Sequence, residues 1–114
     1  YAIEQQAGRA VASIGPSLAS IYGKSLKLDK AAAISVSQSG KSPDIVALAQ
    51  SAAAAGALTI SLTNTRPSPL SDACAHAIDI NAGPELAVAA TKSFFNSVLA
   101  GLAVLAEWTV DADL

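Results

Sequence analysis

The 114-residue chain is 52% hydrophobic and only 14% charged, with a net charge of −2. That balance excludes a disordered tail, and without a Lys/Arg cluster there is no electrostatic footprint for nucleic acid or for a membrane surface. The single cysteine, Cys74, excludes an internal disulfide and points to a reducing compartment, the cytoplasm.

The chain opens on Tyr1-Ala2-Ile3-Glu4-Gln5-Gln6, which has neither the basic start nor the apolar run of a signal peptide. It reads as the end of a helix stopped by Gly8. With no initiating Met and no N-cap before it, the chain is expected to be part of something longer, lacking an upstream strand and half a helix. Residues 9–14 alternate as a short strand would, and Gly15-Pro16 ends it. A short helix is expected over 17–22 with Gly23 as its stop, followed by a polar connection over 25–30. Residues 31–37, Ala-Ala-Ala-Ile-Ser-Val-Ser, form a short apolar run bounded by turn signals, which predicts a strand buried on both faces of a parallel sheet.

Ser42-Pro43-Asp44 is a strong helix start: an N-cap hydroxyl, a proline at the first helical position and an acid that complements the positive helix end. That helix should run to Ala55, closed by Gly56. A buried strand is expected over 58–62, a loop over 64–69, a short helix over 70–75, and another strand over 77–80. After a turn at 81–84, a long helix over 85–107 is apolar on most faces, which predicts cover from several sides and hints at a subunit or domain interface. Its greasiest part, residues 94–108, is broken by Asn96, Ser97 and Gly101 and falls short of the ~20 apolar residues of a membrane span. Strands alternating with helices imply an α/β fold: a parallel sheet with helices on both faces, in one domain over 1–114. Ligands of such sheets bind at the C-terminal edge of the strands.

One loop on that edge carries chemistry: Ser37-Gln38-Ser39-Gly40-Lys41-Ser42, between a buried strand and a helix N-terminus. Unpaired N–H groups and the positive helix end attract phosphate there. Gly40 allows close backbone approach, and Ser37, Ser39 and Ser42 can each donate a hydroxyl hydrogen bond. The competing reading of the same residues is a helix cap with solvated serines around a turn. The spacing is neither a Walker A loop nor a dinucleotide fingerprint. A second segment, Ala82-Gly83-Pro84-Glu85 followed by Val88-Ala89-Ala90-Thr91-Lys92-Ser93-Phe94, places a carboxylate, a hydroxyl and an ammonium on the same edge.

Together with Leu62-Thr63-Asn64 and Ser68-Pro69-Leu70, these two segments resemble the sugar isomerase (SIS) domain family. The likeness is to the first of two such domains in the isomerase half of glucosamine-6-phosphate synthases and in related aminosugar-phosphate deaminases. It implies a flavodoxin-like three-layer sandwich, and a sugar phosphate (glucosamine 6-phosphate or fructose 6-phosphate) held by Ser37, Gln38, Ser39, Gly40 and Ser42. Val88 and Ala89 would lie beside the sugar. Position 42 is Ser where the synthases usually have Thr, and Pro84 replaces a Thr. The resemblance also implies a second SIS domain that supplies the catalytic Lys, Glu and His, and a homodimer. It calls for no cofactor and no metal. The alternative function is a non-catalytic sugar-phosphate sensor of a transcription regulator.

Other residues carry less. Glu85 is a candidate sugar-hydroxyl acceptor or general base, or a carboxylate favoured at a helix start. Lys92 reads as structural rather than as a Schiff-base lysine, His76 as a surface residue entering a strand, Cys74 as a small buried residue on a short helix, and Trp108 as packing.

Overall fold

The described residues, 1–86 and 88–112 of a computed structural model, form eight elements. In chain order these are α1 (Ala2–Ala7), α2 (Ser17–Ser20), β1 (Ala32–Ser37), α3 (Pro43–Ala54), β2 (Leu58–Thr63), α4 (Pro69–Ala73), β3 (His76–Asp79) and α5 (Thr91–Ala112). The strands make one parallel sheet in the order β1-β2-β3, with Ser37 beside Thr63 and Thr63 beside Asp79 at its C-terminal edge. Consecutive strands lie side by side, so right-handed crossovers put α3 and α4 on one face, where they contact each other. Helix α5 returns across β2 on the other face and meets α1.

Residues in register on a parallel sheet share a face. One face therefore carries Ser35, Ser37, Thr59, Ser61 and Thr63, and the other Ile34, Val36, Ile60 and Leu62. The hydroxyl face lies under α3 and α4: Thr59 Oγ1 accepts a hydrogen bond from the Ala75 N–H at 2.9 Å just past α4. Onto this face α3 lays Ala49 and Ala52, both buried. Small residues on small residues let the helix ride close to the sheet.

Four expectations change. Residues 9–14 are irregular and exposed rather than a strand, and among the described residues no backbone hydrogen bond ties them to the sheet. Their alternation is real, but a strand needs a partner edge. Strand β1 is covered on one face only: Ala32, Ile34 and Val36 are exposed because β1 is an edge strand and α5 packs against β2 rather than over it. The last helix begins at Thr91, not at 85, because the chain takes left-handed turns at Gly83 (φ 69°) and Ala90 (φ 47°) before it can coil. Cys74 lies just past α4 in extended backbone and is half-buried.

Helix α5 turns its small and polar residues inward. Ser93 and Leu105 are buried, and Asn96, Ser97, Ala100, Gly101 and Val104 are half-buried. Its bulky residues face out: Phe94 is 71% and Phe95 61% exposed, with Val98, Leu99 and Leu102 beside them. The expected cover on several sides of this helix is not found among the described residues.

Candidate phosphate-binding site

The loop between β1 and α3 is fixed by its own backbone and by the next two connections. Gly40 adopts a left-handed conformation (φ 65°) and is buried. Its N–H donates to Ser37 Oγ at 3.2 Å, and its carbonyl accepts from the Leu70 N–H at 2.9 Å, in the first turn of α4. A Cβ at this position would overlap Ser68 Oγ and lie 2.7 Å from Ser68 Cβ. Glycine is therefore required here twice over, by backbone conformation and by space. Ser68 is itself held in a reciprocal cap: its Oγ accepts from the Ser71 N–H at 3.2 Å, while its own N–H donates to Ser71 Oγ at 2.8 Å. The carbonyl of Gln38 accepts from the Asn64 N–H at 3.1 Å.

This scaffold leaves the hydroxyls free to donate. Ser39 Oγ accepts from the Lys41 N–H at 3.2 Å, as Ser37 Oγ accepts from Gly40. A hydroxyl that accepts keeps its proton for another partner. Ser42 occupies the N-cap position of α3 in extended backbone (φ −60°, ψ 114°), and its carbonyl accepts from Val46 at 3.0 Å. Its side chain makes no cap hydrogen bond. The reading in which Ser42 merely caps its helix is thus not what the geometry shows. Pro43 has no N–H, so the N–H groups of Asp44 and Ile45 form the open end of a 12-residue helix. Ser37, Ser39 and Ser42 thus lie on one short loop that leads into a helix N-terminus, a kind of end that favours anions. Gln38 and Lys41 are exposed on the same loop.

The second segment follows β3 on the same edge. Glu85 is not in a helix but reaches one from outside: its Oε2 accepts from Ser93 N–H at 2.9 Å and from Ser93 Oγ at 3.0 Å, closing the first turn of α5. The helix-start carboxylate is therefore found, at the end of a loop. Lys92 Nζ donates to the Pro84 carbonyl at 2.6 Å and so holds this loop too, in keeping with a structural role. Val88 and Ala89 form an exposed turn before α5, while Ala87 between them and the loop lies outside the described residues. Among the described residues no hydrogen bond joins Val88 or Ala89 to Ser37–Ser42. His76 is exposed at the start of β3. Burial pushes the Cys74 thiol up from its ordinary pKa, against the hydroxyls of Ser61 and Thr59, which pull it down.

Two features had no role in the sequence reading: the Ser68–Ser71 cap and the side chain of Asn64. Its Nδ2 donates to the Gly83 carbonyl at 2.7 Å and its Oδ1 accepts from the Ala82 N–H at 2.9 Å. The cap leaves a trace in Ser68-Pro69-Leu70-Ser71, a hydroxyl followed three residues later by another just inside a proline-led helix start. The amide leaves none, because its partners are distant in sequence.

A parallel sheet with helices packed on it and a serine-lined loop leading into a helix N-terminus defines the class of α/β domains with a loop at the C-terminal edge of the strands. Comparison with known proteins narrows it. The SIS domain pattern matches residues 8–106, and the chain belongs to that family. It is 45% identical over 65 residues to a glutamine–fructose-6-phosphate aminotransferase (isomerizing) of Halobacterium salinarum, covering 57% of this chain and 11% of that protein. With the enzyme of the same name from Bacillus licheniformis it shares 36% identity over 91 residues, 80% of this chain and 15% of that protein. A crystal structure from Silicibacter pomeroyi DSS-3, assigned as a phosphosugar isomerase, superposes with a TM-score of 0.94 at 57% identity, covering 97% of this chain and 34% of that one. The chain thus spans a small part of these curated relatives and about a third of the solved neighbour. Among the described residues no helix is long and apolar enough to cross a membrane.

Proposed function

We propose that this chain is the sugar-phosphate-binding domain of an aminosugar-phosphate isomerase or deaminase, or of an aminotransferase acting on fructose 6-phosphate. The observation that carries the proposal is the state of the serines. Ser37 and Ser39 accept from backbone and keep their protons, and Ser42 stands at a helix N-terminus without capping it. In this reading Ser37, Gln38, Ser39 and Ser42 hold the phosphate, Gly40 lets the backbone approach it, and Val88 and Ala89 flank the sugar. Ligand is glucosamine 6-phosphate or fructose 6-phosphate, and the setting is cytoplasmic.

Aldose–ketose chemistry moves a proton between adjacent carbons and needs an acid/base group beside them. The loop's part is to fix the far end of the substrate so that those carbons are presented in one place. Glu85 is engaged at the first turn of α5, which argues for a positioning role over a general base. A second SIS domain, together with a homodimer partner, is proposed to supply the lysine and the acid/base groups. Calorimetric titration tests the phosphate site: the intact protein should bind fructose 6-phosphate far more tightly than fructose. Ser39→Ala should weaken that binding by about 1–3 kcal/mol, the worth of a hydrogen bond to a charged group. Equal affinity for sugar and sugar phosphate would overturn the proposal.

A further inference from the structure

We infer that Asn64 is a positioning residue that holds the Ala82–Glu85 segment in register with the phosphate loop; the inference rests on the sugar-phosphate reading above. Asn64 directly follows β2, the central strand, and so stands between the loop after β1 and the loop after β3. It reaches both. Its backbone N–H binds the Gln38 carbonyl at 3.1 Å, inside the phosphate loop. Its side-chain amide binds the Gly83 carbonyl at 2.7 Å and the Ala82 N–H at 2.9 Å. A primary amide is the group that offers a donor and an acceptor side by side at this reach. A carboxylate has no donor for Gly83, and a hydroxyl sits too close to its own backbone to serve both partners. From Gly83 the tie continues through Pro84, whose carbonyl takes Lys92, to Glu85 and the start of α5. A ligand anchored by its phosphate at one loop therefore meets the other loop at a fixed separation.

The two links separate by mutation. In Asn64→Asp the backbone bond to Gln38 stays and the bond to Gly83 becomes a repulsion between two acceptors. Without ligand, the Ala82 amide of the intact N64A protein, which has lost its acceptor, should exchange its hydrogen about tenfold faster than in wild type. Affinity of N64D for inorganic phosphate should stay within about twofold, while its affinity for fructose 6-phosphate falls about tenfold. Asn64→Ala, which removes both side-chain bonds without adding charge, should give the same split and guards against a folding defect peculiar to the carboxylate. Unchanged exchange at Ala82 in N64A, or equal losses for the two ligands, would overturn the inference. A wild-type protein that binds neither ligand would instead refute the sugar-phosphate reading, and the positioning role with it.

Discussion

Replacing Gly40 by alanine should destabilise the protein by about 4 kcal/mol, and the structure says where that comes from. The left-handed backbone at φ 65° costs a Cβ-bearing residue about 1 kcal/mol or slightly more. The new Cβ would overlap Ser68 Oγ and lie 2.7 Å from Ser68 Cβ, so Ser68 must move. It has no easy way to do so, because it is buried and bound to both the N–H and the hydroxyl of Ser71. Losing that cap costs about 1 kcal/mol, and forcing an atom into a filled site adds about 1–3 kcal/mol. Gly83→Ala is the control, since Gly83 has nearly the same backbone (φ 69°) with nothing within 4 Å of the added atom. It should cost only the backbone penalty of about 1 kcal/mol. Urea unfolding of the two variants beside wild type measures the difference, expected at about 3 kcal/mol. A Gly40→Ala protein no less stable than Gly83→Ala would refute the argument that Ser68 closes the space beside this loop.

Two further outcomes follow from the same geometry. The outward face of α5 should drive self-association: sedimentation of the chain across a concentration series should show a mass that rises with concentration, and Phe95→Ser with Leu99→Ser should reduce it, whereas a chain that stays monomeric and binds no hydrophobic dye would contradict the open face. For Cys74, burial favours the neutral thiol, so less thiolate is present at any given pH, and the pH profile of iodoacetamide alkylation should lie on the alkaline side of that for the urea-unfolded chain; coincident profiles would show that the thiol is not held in a desolvated place.

Local signals found most of the fold. Gly8, Gly23 and Gly56 all take the left-handed conformation expected of stop signals, with φ of 62°, 57° and 90°. Ser42-Pro43-Asp44 begins a helix as read, and the runs at 31–37 and 58–62 are paired parallel strands. What failed depended on partners. Pro84-Glu85 carries nearly the same start signature as Pro43-Asp44, yet α5 begins six residues later. The difference is that Glu85 folds back onto Ser93 from outside the helix, a contact no local pattern encodes. Residues 9–14 alternate like a strand, but among the described residues they pair with no strand of the sheet. The Ser37–Ser42 segment stands out in the sequence because its residues are contiguous; the contacts of the Asn64 side chain do not, because its amide meets residues 18 and 19 positions away.

The alanines of α3 have a consequence for how this domain can drift in sequence. Ala49 and Ala52 touch no ligand in any reading given above, and they are buried against a sheet face of hydroxyl residues. Close-packed interiors do not absorb an extra methyl group locally. A helix pushed outward by a larger residue moves as a rod, carrying its first turn with it, and that turn begins at Pro43 beside Ser42. Substitutions deep under the helix should then be felt as a changed dissociation constant as well as a changed melting temperature. Selection on the ligand would reach these buried positions at second hand, so that their tolerance to change is set by the site at the end of the helix and not by the core alone.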